Sequence, residues 1–106
     1  MKMSKYNILL CCGAGMSSGF LAQRAQKAAT AIQANINVDA KSQSIVEDVI
    51  EDYQLLLLGP HYESHLEEFE EMAKPYNIPV AVIPQNIYGA LDGEALIDFA
   101  LKKLEK

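Results

Sequence analysis

The sequence predicts an α/β domain: a parallel sheet with helices packed on both faces. Three observations predict it. Apolar runs of strand length alternate along the chain with longer stretches of helical periodicity. The connections between them are short, which makes successive strands parallel and each intervening helix a crossover. The run from Gln54 to Leu58 holds four consecutive leucines and stops at Gly59-Pro60, as suits a strand buried on both faces of such a sheet.

The elements follow in order. Tyr6 to Cys11 is the first strand, ending in the small-residue stretch Gly13-Ala14-Gly15. An alanine-rich helix comes next, with Leu21, Ala25, Ala28 and Ile32 at helical spacing. Ile36 to Ala40 alternates apolar and polar residues, the pattern of a strand near a sheet edge. Ser44-Ile45-Val46-Glu47 has the form of a capping box, and Ile45, Val46, Val49, Ile50 and Tyr53 make one apolar face behind it. After the third strand, Ser64-x-x-Glu67 has the same form, and Tyr62, Leu66, Phe69 and Ala73 make the next stripe, closed by Pro75. Ile78 to Ile83 is the fourth strand. Asp92 caps a last helix with Leu96, Phe99, Ala100 and Leu104 inward, and Lys102, Lys103 and Lys106 lie near its C-terminus, where the helix dipole favours positive charge. Right-handed crossovers then favour one flavodoxin-like domain, a four-stranded sheet in the order 2-1-3-4. In such a sheet ligands bind beyond the C-terminal strand ends at the switch point, here between strands one and three. The loops from Cys12, Gly59 and Pro84 are expected to open onto that edge.

Length and composition narrow the function classes. The chain of 106 residues is half apolar and 22% charged, which fits one domain with one core and excludes a disordered chain. Fourteen acids against 9 bases give a net charge of −5, the wrong sign for a nucleic-acid surface. No apolar run approaches the roughly 20 residues that span a bilayer, and no signal-peptide core follows the basic start, so a cytoplasmic chain is expected; with no large exposed apolar face evident, the expected state is a monomer. The two cysteines, Cys11 and Cys12, are adjacent on a strand and point to opposite faces, so they form no structural disulfide and make no zinc site. The question is whether one of the thiols is reactive.

The segment Cys12-Gly13-Ala14-Gly15-Met16-Ser17-Ser18-Gly19 joins the first strand to the first helix. Small residues let several backbone N–H groups converge, and the helix N-terminus adds partial positive charge, an arrangement suited to phosphate. The same field lowers the pKa of a thiol at its mouth. Such a thiolate attacks phosphorus in line while the loop holds the equatorial oxygens. Cys12 is therefore the candidate nucleophile, Gly13 to Ser18 the candidate cradle, and Ser17 and Ser18 candidate hydroxyl donors. The same small residues would also serve a plain turn with close helix packing, and a cysteine there would serve as a small core residue. Gly13, Gly15 and Gly19 give Gly-x-Gly-x-x-x-Gly, which does not fit a dinucleotide loop, and the lysine of a Walker A loop is absent. Small thiol phosphatases use Cys-x5-Arg; counted from Cys12, that position is Ser18. Without the guanidinium clamp the loop would hold a phosphoryl group and hydrolyse it poorly, which suits a relay better than a hydrolase.

The sequence resembles the enzyme IIB component of the lactose/cellobiose (also diacetylchitobiose) class of the bacterial phosphotransferase system. The resemblance covers nearly the whole chain, residues 1–106 as one domain. It rests on Ile8-Leu9-Leu10 running into Cys12-Gly13-Ala14-Gly15-Met16-Ser17, on Leu56-Leu57-Leu58-Gly59-Pro60, and on Val82-Ile83 followed by Tyr88-Gly89 and Asp92-Gly93. It implies a flavodoxin-like four-stranded sheet, a phosphocysteine at Cys12, and a cradle over Gly13, Ala14, Gly15, Met16, Ser17 and Ser18. It implies a phosphohistidine of enzyme IIA as donor and a disaccharide held by membrane enzyme IIC as acceptor, of the cellobiose, chitobiose or lactose class. No cofactor and no metal are implied. Two positions depart from the pattern. Cys11 matches no functional position and reads as core; His61 stands where many relatives carry an amide.

Other residues fit around this reading. His61 and Tyr88 follow strands three and four and are candidate rim residues. Met16, Phe20 and Tyr62 are candidates for an apolar docking rim for IIA or IIC. Glu63, Glu67, Glu68, Glu70 and Glu71 read as a solvated helix face. The spacing of His61 and His65 by four residues reads as helix surface rather than metal ligation. Two alternatives stay open: a small cysteine-dependent phosphatase or arsenate reductase, and a non-enzymatic phosphate-binding module of the same fold.

Overall fold

The computed structural model describes residues 6–11 and 16–105. Strands β1 (Tyr6–Cys11), β2 (Ile36–Lys41), β3 (Leu55–Leu58) and β4 (Val80–Val82) form one parallel sheet in the order β2-β1-β3-β4. Helices α1 (Met16–Ala31), α2 (Gln43–Val49), α3 (Leu66–Ala73), α4 (Gln85–Ala90) and α5 (Gly93–Glu105) cover it. The predicted sheet order is the observed one.

Alternation along the strands divides the core into two layers. Ile8, Leu10, Leu55 and Leu57 pack with Leu21, Ala25 and Ala29 of α1 and with Leu96, Ile97 and Ala100 of α5. Leu9, Cys11, Leu56 and Leu58 pack on the other face with Val46 of α2, Ile50 and Phe69 of α3. All four leucines of β3 are fully buried, because this strand has a neighbour on each side and a helical layer on each face. The apolar area that β3 and its neighbours remove from water is the main favourable term for this fold.

Four local expectations are corrected. The cap of α2 is Ser42, whose hydroxyl accepts from Ser44 N, so Ser44 lies inside the helix and forms no capping box. Ser64-x-x-Glu67 forms none either: a 3-10 helix over Pro60–His65 leads into α3, and Ser64 Oγ lies 3.3 Å from His65 Nδ1. Ile32 is not on the core face but 61% exposed, beyond the last turn of α1. That helix closes by the Ala34 N–H donating to Ala29 O, with Gln33 in the left-handed region at φ 59°. Fourth, strand four is shorter than the apolar run, and an additional helix, α4, follows Pro84. The C-terminal helix is as expected: Asp92 Oδ1 accepts from Ala95 N at 3.0 Å, and Lys102 and Lys103 sit in the last turn.

Tyr53, the last residue of the α2 face, closes the rim of its layer. Its hydroxyl donates to Asp39 Oδ2 at 2.9 Å, which also accepts from Asn37 Nδ2. Burial first, then the bond to Asp39 and the charges of Asp39 and Asp52, push the phenol up to about 12. The fold thus favours the neutral phenol over the phenolate. The stability this contributes is complete below pH 10, the ordinary tyrosine value, and is lost as pH rises through about 12. Ultraviolet titration should show Tyr53 ionising well after the ordinary tyrosine range, and Asp39→Asn should bring it down. A titration that Asp39→Asn leaves unmoved would remove Asp39 as a cause.

Candidate functional site

The registers align the C-terminal strand ends. Cys11 lies opposite Lys41 on one side and Leu58 on the other, and Leu58 lies opposite Val82. The pairing continues one step beyond: Gly59 N donates to Cys11 O at 3.2 Å, and Ile83 N donates to Leu58 O at 2.8 Å. The chain therefore leaves β1, β3 and β4 along a single edge. From β1 it crosses to β2 through α1 on one face; from β2 it returns to β3 through α2 on the other. The switch point lies between β1 and β3, at the Cys11–Gly59 hydrogen bond.

The predicted nucleophile Cys12 and the first part of the predicted cradle, Gly13, Ala14 and Gly15, lie outside the described residues, as do the side chains of Met16, Ser17, Ser18 and His61. What is described brackets that segment. Cys11, the residue before it, is the last of β1 and is buried among Leu9, Val46 and Leu58. The core reading of Cys11 therefore holds. Beyond the segment, α1 begins at Met16. His61 is the second residue of the 3-10 helix that starts directly past β3.

The rim candidates divide between the layers. Tyr62 is half-buried on the α3 side, edge-on to the rings of His65 and Phe69 at centroid distances of 5.5 and 6.4 Å. Tyr88 is carried by α4 and packs, half-buried, against the α1 side. Phe20, 56% exposed on α1, lines an open groove with Arg24, Lys27, Leu91 and Glu94. Phe20 thus sits on the α1 side of the sheet and Tyr62 on the α3 side. The sequence reading missed α4, which places Tyr88. The signal was Pro84 ahead of Gln85-Asn86-Ile87, a start that fits a helix as well as a loop.

Glu63, Glu67, Glu68, Glu70 and Glu71 are all exposed, as expected of a solvated face. Among the described residues, no three His, Cys, Asp or Glu side chains gather where they could hold a metal ion. Among the same residues, no helix is long and apolar enough to cross a membrane.

This arrangement agrees with known proteins. The family model described as "PTS system, Lactose/Cellobiose specific IIB subunit" matches residues 7–99. The chain belongs to the lactose/cellobiose-specific IIB family. A solved IIB member, the cellobiose-specific phosphotransferase IIB component of Borrelia burgdorferi, is 32% identical, with a TM-score of 0.78 over 96% of this chain and 94% of that one. The lactose-specific IIB domain of Streptococcus pneumoniae shares the fold, with a TM-score of 0.87 at 19% identity over 94% and 98% of the two chains. The lactose-specific EIICB component of Staphylococcus haemolyticus is 32% identical over 102 residues, 94% of this IIB chain. The chain spans only 18% of that relative's length.

Proposed function

We propose that this IIB chain is a phosphoryl relay in sugar uptake and that Cys12 carries the phosphoryl group. The observation that supports it is the alignment of strand ends. Cys12 follows Cys11 at the switch point, and α1 begins four residues further on. The strand end that precedes Cys12 is where an α/β sheet binds ligands, and the N-terminus of the helix that follows favours anions.

In the first step the Cys12 thiolate attacks phosphorus. An S–P bond forms as the N–P bond of an enzyme IIA phosphohistidine breaks, and the electron pair returns to the imidazole. In the second step a sugar hydroxyl attacks the same phosphorus. An O–P bond forms, the S–P bond breaks, the thiolate is regenerated and the hydroxyl proton is released. This is a protein-phosphohistidine–sugar phosphotransferase reaction, and it needs no cofactor. Catalysis rests on positioning and on N–H groups directed at the equatorial oxygens, for which Gly13, Ala14, Gly15, Met16, Ser17 and Ser18 are the candidates. His61, on the 3-10 helix that follows β3, and Tyr88, on α4 after β4, are candidate rim residues. The name EIICB of the long relatives joins a IIC to a IIB component, which supports a membrane IIC partner with a bound disaccharide for this domain. The domain would then work at the cytoplasmic side of the membrane, held there by IIC.

The test is intact mass after incubation with phosphoenolpyruvate, the general phosphotransferase proteins and a IIA shown to be phosphorylated. One phosphoryl adduct in the wild type and in Cys11→Ser, absent in Cys12→Ser, is expected. Turnover of an aryl phosphate without an adduct would favour a hydrolase. Anion binding that survives loss of the thiol, with no adduct, would favour a binding module.

A further inference from the structure

Among the described residues, the six-residue strand β2 is an open edge of the sheet; the other edge strand, β4, has three residues. An open edge offers unpaired N–H and C=O groups to any extended chain. On β2 the odd-numbered residues turn inward to β1, as the Tyr6 N–H donating to Asn35 O shows. By alternation Ile36 and Val38 direct their backbone groups outward.

Two of those outward groups, Ile36 O and the Val38 N–H, are occupied by one side chain. Gln26 of α1, half-buried above the strand, donates from Nε2 to Ile36 O at 2.9 Å and accepts from Val38 N at Oε1, also at 2.9 Å. A residue of a parallel neighbouring strand opposite Asn37 would make the same two bonds. The strand's charges do not take this role. The Asp39 carboxylate is engaged within its own domain by Asn37 and Tyr53, and Lys41 lies at the far end.

We propose that the Gln26 amide stands in for a missing fifth strand and closes the β2 edge against β2 of a second copy of this chain. Without it, two copies would pair edge to edge about a two-fold axis, because an isologous contact of identical strands satisfies both edges at once. A six-residue edge, free of proline, is long enough for such a ladder.

The test combines amide hydrogen exchange of the full chain in dilute solution with sedimentation velocity over rising concentration. Gln26→Ala should speed exchange at the Val38 amide about tenfold or more, relative to the amides of β3. The same variant should form a concentration-dependent dimer where the wild type stays monomeric. Gln26→Leu keeps the bulk and the helix propensity and removes only the polar atoms. It should behave alike, and it decides the question if the alanine variant fails to fold. Unchanged Val38 exchange in a folded variant would overturn the proposal. So would a variant that stays monomeric throughout the wild type's range, or a wild type that itself dimerises through β2.

Discussion

Cys12→Ser is expected to reduce phosphoryl transfer to the uncatalysed background, while Cys11→Ser keeps transfer near the wild-type rate per folded molecule. The difference follows from position. A serine hydroxyl stays protonated near neutral pH and is a far weaker nucleophile than a thiolate, so loss of the sulfur at Cys12 removes the proposed acceptor. Cys11 is buried in the apolar layer of Leu9, Val46 and Leu58, turned into the core. Its replacement brings a hydroxyl into that layer and should cost about 1–2 kcal/mol of stability. Transfer assays with phosphorylated IIA, read beside urea unfolding curves, separate the two effects. Equal loss of transfer in both variants, with both folded, would contradict the assignment of Cys12.

The second large effect is expected at the contact between α1 and α5. Gly93 opens α5 where that helix crosses α1, and it is buried. A Cβ at this position would land on the backbone carbon and oxygen of Arg24 and within 2.6 Å of Ala25 N. Neither helix can yield locally, because a backbone is being struck, so the α1–α5 contact must open. Gly93→Ala should therefore destabilise the domain by about 2–3 kcal/mol, although alanine is the better helix former by about 1 kcal/mol. Gly19→Ala supplies the contrast: a Cβ there meets nothing within 4 Å among the described residues, so propensity alone acts and stability should rise by up to about 1 kcal/mol. Both are read from the urea midpoint at unchanged slope. A neutral Gly93→Ala would show that α5 can shift along α1 without loss.

The strands were legible because burial on both faces leaves an uninterrupted apolar signature. Leu55 to Leu58 is the plainest case, and all four leucines are in the core. The inward face of α5 and its Asp92 cap were legible for a similar reason: Leu96 and Ala100 recur at helical spacing, and the cap residue stands just ahead of the helix. Helix ends were less legible. Both Ser42 and Ser44 can cap a helix, and only the chain's exit from β2 makes Ser42 the residue with extended backbone. Periodicity likewise carried the α1 stripe on to Ile32. The turn through Gln33 ends the helix first and leaves that side chain in solvent.

The order of apolar runs and turns in this sequence by itself determined the parallel sheet and its 2-1-3-4 arrangement. Handed crossovers and two-sided burial leave few other ways to cover four such strands. Its motif residues made Cys12 the candidate nucleophile. The tertiary structure alone decided which side chains meet across distant segments. It set Gly93 against the backbone of Arg24, divided Phe20 and Tyr62 between opposite layers, and brought the Gln26 amide to the open edge of β2. Periodicity tells a residue which face it takes, but contact across the chain depends on how helix and strand lie against each other, and no local pattern encodes that.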